Sequence, residues 1–137
     1  MRVKILVEDE YQVVSTLDKG ESPAEIFISY GEAAYTASRS GLSSLLRRAA
    51  MSGLEQFPSA LVHEVDKANK IYEFIKGDLR LLFFKGSEKQ IVVCTTGVIK
   101  KTRKIDQRAV NKAIALRKQY QNSVKAGTLE VIEHETK

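Results

Sequence analysis

Residues 71–99 read IYEFIKGDLRLLFFKGSEKQIVVCTTGVI. Runs rich in Val, Ile, Phe and Tyr (Lys70–Ile75, Leu79–Phe84 and Gln90–Thr96) alternate here with Lys76-Gly77-Asp78 and Lys85-Gly86-Ser87-Glu88-Lys89. Short polar separators that contain Gly, between β-rich runs, mark antiparallel strands joined by tight hairpins. With Leu61–Val65 ahead of them, these runs make a meander of about four strands. Leu81-Leu82-Phe83-Phe84 and Ile91-Val92-Val93-Cys94 are apolar on both faces. Those two strands are therefore expected at the centre, covered on both sides.

Upstream of the meander, Arg2–Val7 reads as a strand, and a polar turn surrounds Asp18-Lys19-Gly20. Ser22-Pro23-Ala24-Glu25 has the chemistry of a helix start. Ser22 caps, Pro23 suits the first helical position, and Glu25 can reach back as the second half of a capping box. Ala24, Ile28, Ala33, Ala34 and Ala37 carry helical packing as far as Ser38. A second helix covers Leu42 to Ser52, with Leu42, Leu45, Leu46, Ala49 and Ala50 on one stripe and Gly53 as its C-terminal cap. Downstream lie a basic loop, Lys100-Lys101-Thr102-Arg103-Lys104, and then Asp106, which caps a helix from Gln107 to about Ser123. The apolar face of that helix is Ala109, Ala113, Leu116 and Tyr120, bordered by Val110, Ile114 and Val124, with Arg108, Lys112 and Lys118 toward the other face. Leu129–Ile132 either adds a short edge strand or stays loose. The expectation is one α+β domain over residues 1–137: a strand and two helices, an antiparallel sheet of about four strands, and a closing helix.

Composition narrows the function classes. At 137 residues, 43% hydrophobic and 28% charged, the chain is globular in character and long enough for a core without metal or disulfide staples. Cys94 is the only cysteine, so neither an internal disulfide nor a cysteine-built zinc site is available. No run approaches the ~20 apolar residues of a membrane span, and the N-terminal apolar run is too short for a signal peptide. The location expected on these grounds is cytoplasmic. Charge is unevenly placed: residues 1–68 hold seven Lys and Arg against ten Asp and Glu, whereas residues 76–118 hold twelve against three. A field concentrated in this way attracts phosphate backbones, anionic membranes or an acidic protein.

Two features could carry chemistry. Arg80 alternates with Leu79 and Leu81, sharing a sheet face with Leu82 and Phe84. A charge there must be paired or must look into a site. Glu73 on the preceding strand is the candidate partner, and the guanidinium could bind phosphate bidentately while that pair holds it. The Lys100–Lys104 cluster follows a central strand, and mutual repulsion among its cations suits one lysine to proton transfer while its neighbours bind phosphate. A solvated basic turn is the plainer reading of the same residues. Tyr120 carries a hydroxyl but sits on an apolar helix face, where core packing is the stronger expectation. His63, next to Glu64, reads as a structural hydrogen-bonding residue, and His63 and His134 lack metal-ligand spacing. Cys94 reads as an inert buried thiol. No nucleophile elbow or Gly-rich phosphate loop is present.

Ile71-Tyr72-Glu73-Phe74, Gly77-Asp78-Leu79-Arg80-Leu81-Leu82-Phe83-Phe84 and Gly97-Val98-Ile99-Lys100-Lys101-Thr102, followed by a helix through Ala113 and Tyr120, together resemble the RelE/ParE toxin superfamily, most nearly its HigB-like, phage-derived branch. The likeness covers residues 60–122, with residues 1–58 similar in outline. Val98 stands where that branch has an aromatic, and Ile105-Asp106 replaces its proline before the last helix. The resemblance implies a RelE-like fold and a type II toxin that cuts mRNA on the ribosome, without metal or cofactor, until an antitoxin silences it. It implies Arg80 at the phosphorane, Lys101 or Lys100 in proton transfer, and Tyr120 as an acid or stacking residue. Lys76, Arg103, Lys104 and Arg108 would hold the RNA backbone. The alternatives are a ParE-like gyrase inhibitor and a non-catalytic basic module that binds nucleic acid or protein.

Overall fold

In the computed structural model, which describes residues 1–133, the N-terminal apolar run forms β1 (Arg2–Glu8). The acidic turn after it returns the chain along β2 (Gln12–Thr16), which pairs antiparallel with β1. Next come α1 (Pro23–Ser29), a single 3-10 turn at Ala33–Tyr35, and α2 (Thr36–Ser52). The meander follows as β3 (Val62–Asp66), β4 (Ile71–Lys76), β5 (Leu79–Phe84) and β6 (Gln90–Ile99). Helix α3 (Gln107–Ala126) and a short β7 (Glu130–Ile132) close the described chain. No described helix is long and apolar enough to cross a membrane.

All seven strands among the described residues join one sheet in the order β3-β4-β5-β6-β2-β1-β7. The sheet is mixed: β2 runs parallel to β6 and β1 parallel to β7, while the other neighbours are antiparallel. An antiparallel sheet of about four strands is thus corrected to seven strands of mixed direction. Two short strands account for much of the difference. Val13-Val14 is an apolar pair inside polar sequence, and its parallel partner in β6 lies far along the chain. β7 has three residues and takes its register from β1 alone.

The first helix also ends sooner than its alanines imply. Tyr30 adopts an extended conformation, so α1 stops at Ser29 and α2 begins afresh at Thr36. Ser22 Oγ accepts from Glu25 N at 3.0 Å, as a cap should. Glu25 does not complete the capping box: its carboxylate takes Lys4 Nζ at 2.9 Å, tying α1 to β1.

The helices fall on opposite faces of the sheet. One face packs the α2 stripe (Leu42, Leu45, Leu46, Ala49, Ala50) over Phe74, Leu81, Phe83, Val92 and Cys94, with the rings of Phe74 and Phe83 stacked at 4.4 Å. The other packs Ala109, Val110, Ala113 and Tyr120 of α3 over Ile71, Leu82, Phe84 and Val93. β5 and β6 are therefore covered on both sides, which is why they carry continuous apolar runs. α1 lies close to β6 because Gly97 has no side chain: a Cβ there would sit 2.1 Å from the Phe27 ring.

Candidate active site

Strand alternation puts Arg80 on the α3 side of β5, where the neighbouring side chains are apolar. Its Nε lies 3.4 Å from Glu73 Oε1, with the two side chains 18% and 10% exposed. This is an ion pair by distance, yet Nε is buried without a directed hydrogen bond. The carboxylate attracts the guanidinium without saturating it. Nη1 is used locally, donating to the carbonyls of Gly77 at 2.7 Å and Leu79 at 3.0 Å. These contacts hold the plane of the guanidinium, and among the described residues Nη2 makes no hydrogen bond.

Cross-strand register builds the rest of the wall. His63 pairs with Glu73 and Glu73 with Leu82, while Arg80 pairs with Val98. Residues opposite one another share a face, so His63, Glu73, Arg80 and Val98 line one side of the sheet. β6 ends at Ile99, and Lys100 N then donates to Asp78 O at 2.7 Å, pinning the start of the basic loop beside the β4–β5 turn. The far end of the loop is held by Asp106, whose carboxylate accepts from Ala109 N at 3.0 Å to cap α3. Between the sheet and the loop is a cavity of about 270 Å³. Arg80, Lys100, Lys101 and Lys104 line it against the carboxylates of Glu73 and Asp106. Val65, Leu82, Val98 and Val110 supply an apolar floor.

The residues singled out from sequence separate into two groups. Arg80, Lys100, Lys101 and Lys104 come together in this cavity. Arg103 and Arg108 are exposed on the adjoining loop and first helical turn and do not line it. Lys76 belongs to the opposite face, where its stem lies against Gly41 of α2. Tyr120 is 2% exposed and far from the basic loop. Its hydroxyl donates to Gln90 Oε1 and accepts from Ser87 N at 3.1 Å, and its ring meets Phe84 edge-on at 5.4 Å. Tyr120 thus ties α3 to the β5–β6 turn. His63 is corrected in the other direction. Read as a structural residue, it is exposed, makes no side-chain hydrogen bond among the described residues, and lines the cavity. The signal that could have found it is register, since a hairpin from β3 to β4 brings His63 opposite Glu73. His134 lies outside the described residues.

Cys94 is fully buried, and desolvation pushes its thiol well above the usual cysteine range. Burial and the neighbouring Glu64 carboxylate also raise the Tyr72 hydroxyl above the ordinary tyrosine value. Neither group lines the cavity. Comparison with protein-family models and with curated proteins finds no match for this chain.

Proposed function

We propose that the chain is a toxin-type endoribonuclease that cleaves mRNA on the ribosome. The observation that carries this reading is the convergence of Arg80, Lys100 and Lys101 with His63 around one cavity. RNA supplies its own nucleophile. A base removes the proton of a 2′-hydroxyl, the 2′-oxygen bonds to the adjacent phosphorus, and the bond to the 5′-oxygen breaks as that oxygen takes a proton from an acid. The products are a 2′,3′-cyclic phosphate and a free 5′-hydroxyl. The protein must supply a base, an acid and cations for the extra negative charge of the phosphorane.

Arg80 suits the phosphorane because Glu73 and two carbonyls fix its orientation while part of the guanidinium stays unused. His63 and Lys101 flank it as proton-transfer groups, with Lys100 and Lys104 on the flanking phosphates. A gyrase inhibitor has no need of such a convergence. A non-catalytic anion-binding module draws support from the Glu73–Arg80 pair, which partly neutralises the central cation. In either toxin reading the partner that silences the chain is an acidic antitoxin covering the basic surface.

The test is induction in bacteria without antitoxin, mapping mRNA 5′ ends beside an Arg80→Ala/Lys101→Ala control. Growth arrest with new cuts inside translated frames, absent from the control, is the expected result. Arrest without cuts transfers the reading to the gyrase inhibitor. No arrest from folded protein transfers it to the binding module.

A further inference from the structure

The cavity is more than a cationic patch, because phosphate alone would leave its floor without a function. Val65, Leu82, Val98 and Val110 line the floor, and Ile105, 53% exposed, stands over its edge. Apolar side chains and the cations Arg80, Lys100, Lys101 and Lys104 line the same cavity, a slot that fits a ligand with an apolar part and an anionic part. At about 270 Å³ the space lies just below the ~300–1,000 Å³ of small-molecule pockets, enough for one nucleoside and not two.

We infer that this slot holds the nucleobase on the 5′ side of the scissile phosphate, so that the cavity is a binding site for a nucleoside 3′-phosphate. The inference rests on the ribonuclease reading for the choice of ligand. Attack by a 2′-hydroxyl on its own 3′-phosphate requires that sugar and that phosphate to be held together. A base seated on the floor and a phosphate at Arg80 would hold both. Apolar contact with a base face is tolerant of sequence, as stacking platforms for single strands are. The bases on either side would lie outside, near exposed Arg103 and Arg108.

Three probes test this on the full chain: adenosine 3′-monophosphate, adenosine and inorganic phosphate, followed by titration calorimetry and by methyl and arginine Nε–H resonances. The nucleotide is expected to bind at least tenfold more tightly than phosphate and to shift the Val98 and Val110 methyls together with the Arg80 Nε–H. Phosphate should shift the Arg80 signal alone. Val65→Phe, which enters the slot from β3 at a partly buried position, should weaken nucleotide binding about tenfold and phosphate binding much less. Ile105→Ala, at an exposed loop position, gives a second variant with a smaller loss if Val65→Phe does not fold. Equal affinity for nucleotide and phosphate, or methyls that stay unmoved by the nucleotide, overturns the inference. If the nucleotide binds as expected and cellular mRNA is not cut, the slot stands and the catalytic reading falls. If mRNA is cut and the nucleotide binds no better than phosphate, the slot alone falls.

Discussion

Arg80 and Glu73 show how a charge is kept inside an apolar wall. Taking a carboxylate away from a buried donor exposes the desolvation cost that the pair had offset. Glu73→Ala should therefore cost roughly 1–3 kcal/mol, toward the lower end because Arg80 retains some exposure. Urea denaturation of both single variants and the double variant measures this. The cost of Glu73→Ala should shrink when Arg80 is also Ala; an undiminished cost would mean the two side chains are energetically independent. Cys94 makes a different prediction. The thiolate is the reactive form, and burial both raises the thiol's pKa and blocks access. Native protein at pH 8 should release no thionitrobenzoate from Ellman's reagent, and unfolded protein one equivalent per chain. Arg80 was legible because an arginine between leucines contradicts its strand. His63 was not, since a histidine in a strand looks the same whether it faces a site or bare solvent.

Elements meet at points where a single residue decides the geometry. Asp106 caps α3 and also anchors the far end of the basic loop. Removing such a cap costs about 0.5–2 kcal/mol, so Asp106→Ala should lower the unfolding midpoint modestly. Its effect on RNA cleavage should be larger than its effect on stability, because the loop that carries Lys100 and Lys101 loses one fixed end. Equal, small effects on both would show that the loop is positioned from β6 alone. Gly97 decides how closely α1 approaches the sheet. Gly97→Ala drives a methyl into the Phe27 ring, and overpacking of this kind costs about 1–3 kcal/mol, read by thermal or urea unfolding. The caps at Ser22 and Asp106 were readable from local residue chemistry. The Lys4–Glu25 bond was not, since it joins positions 21 residues apart on different elements.

At the scale of the whole molecule, the fold gathers charge that the chain distributes. The four cations lining the cavity come from β5 and from the loop after β6. Single-stranded RNA that contacts all four should bind with a log–log salt slope of about −2.8, or about 50-fold weaker at 200 than at 50 mM salt. Filter binding across that range checks it, and a slope near zero would mean an apolar interface in place of an ionic one. On the toxin reading proposed above, the same loop would be the contact for an acidic antitoxin. Charge reversal at Lys100 and Lys101 should weaken both associations together.

Local chemistry in the chain determined the meander, the apolar stripe of α2, the helix caps and the double cover over β5 and β6. Each depends on residues a few positions apart, where hairpin turns, helical periodicity and strand alternation operate. Only the tertiary structure decided that β2 inserts between β1 and β6, that His63, opposite Glu73, lines one cavity with Arg80, and that Tyr120 braces the β5–β6 turn outside that cavity. Those are contacts between residues far apart in the chain. They are set by which apolar surfaces bury one another, and a backbone with the same local pattern could satisfy that burial in more than one arrangement.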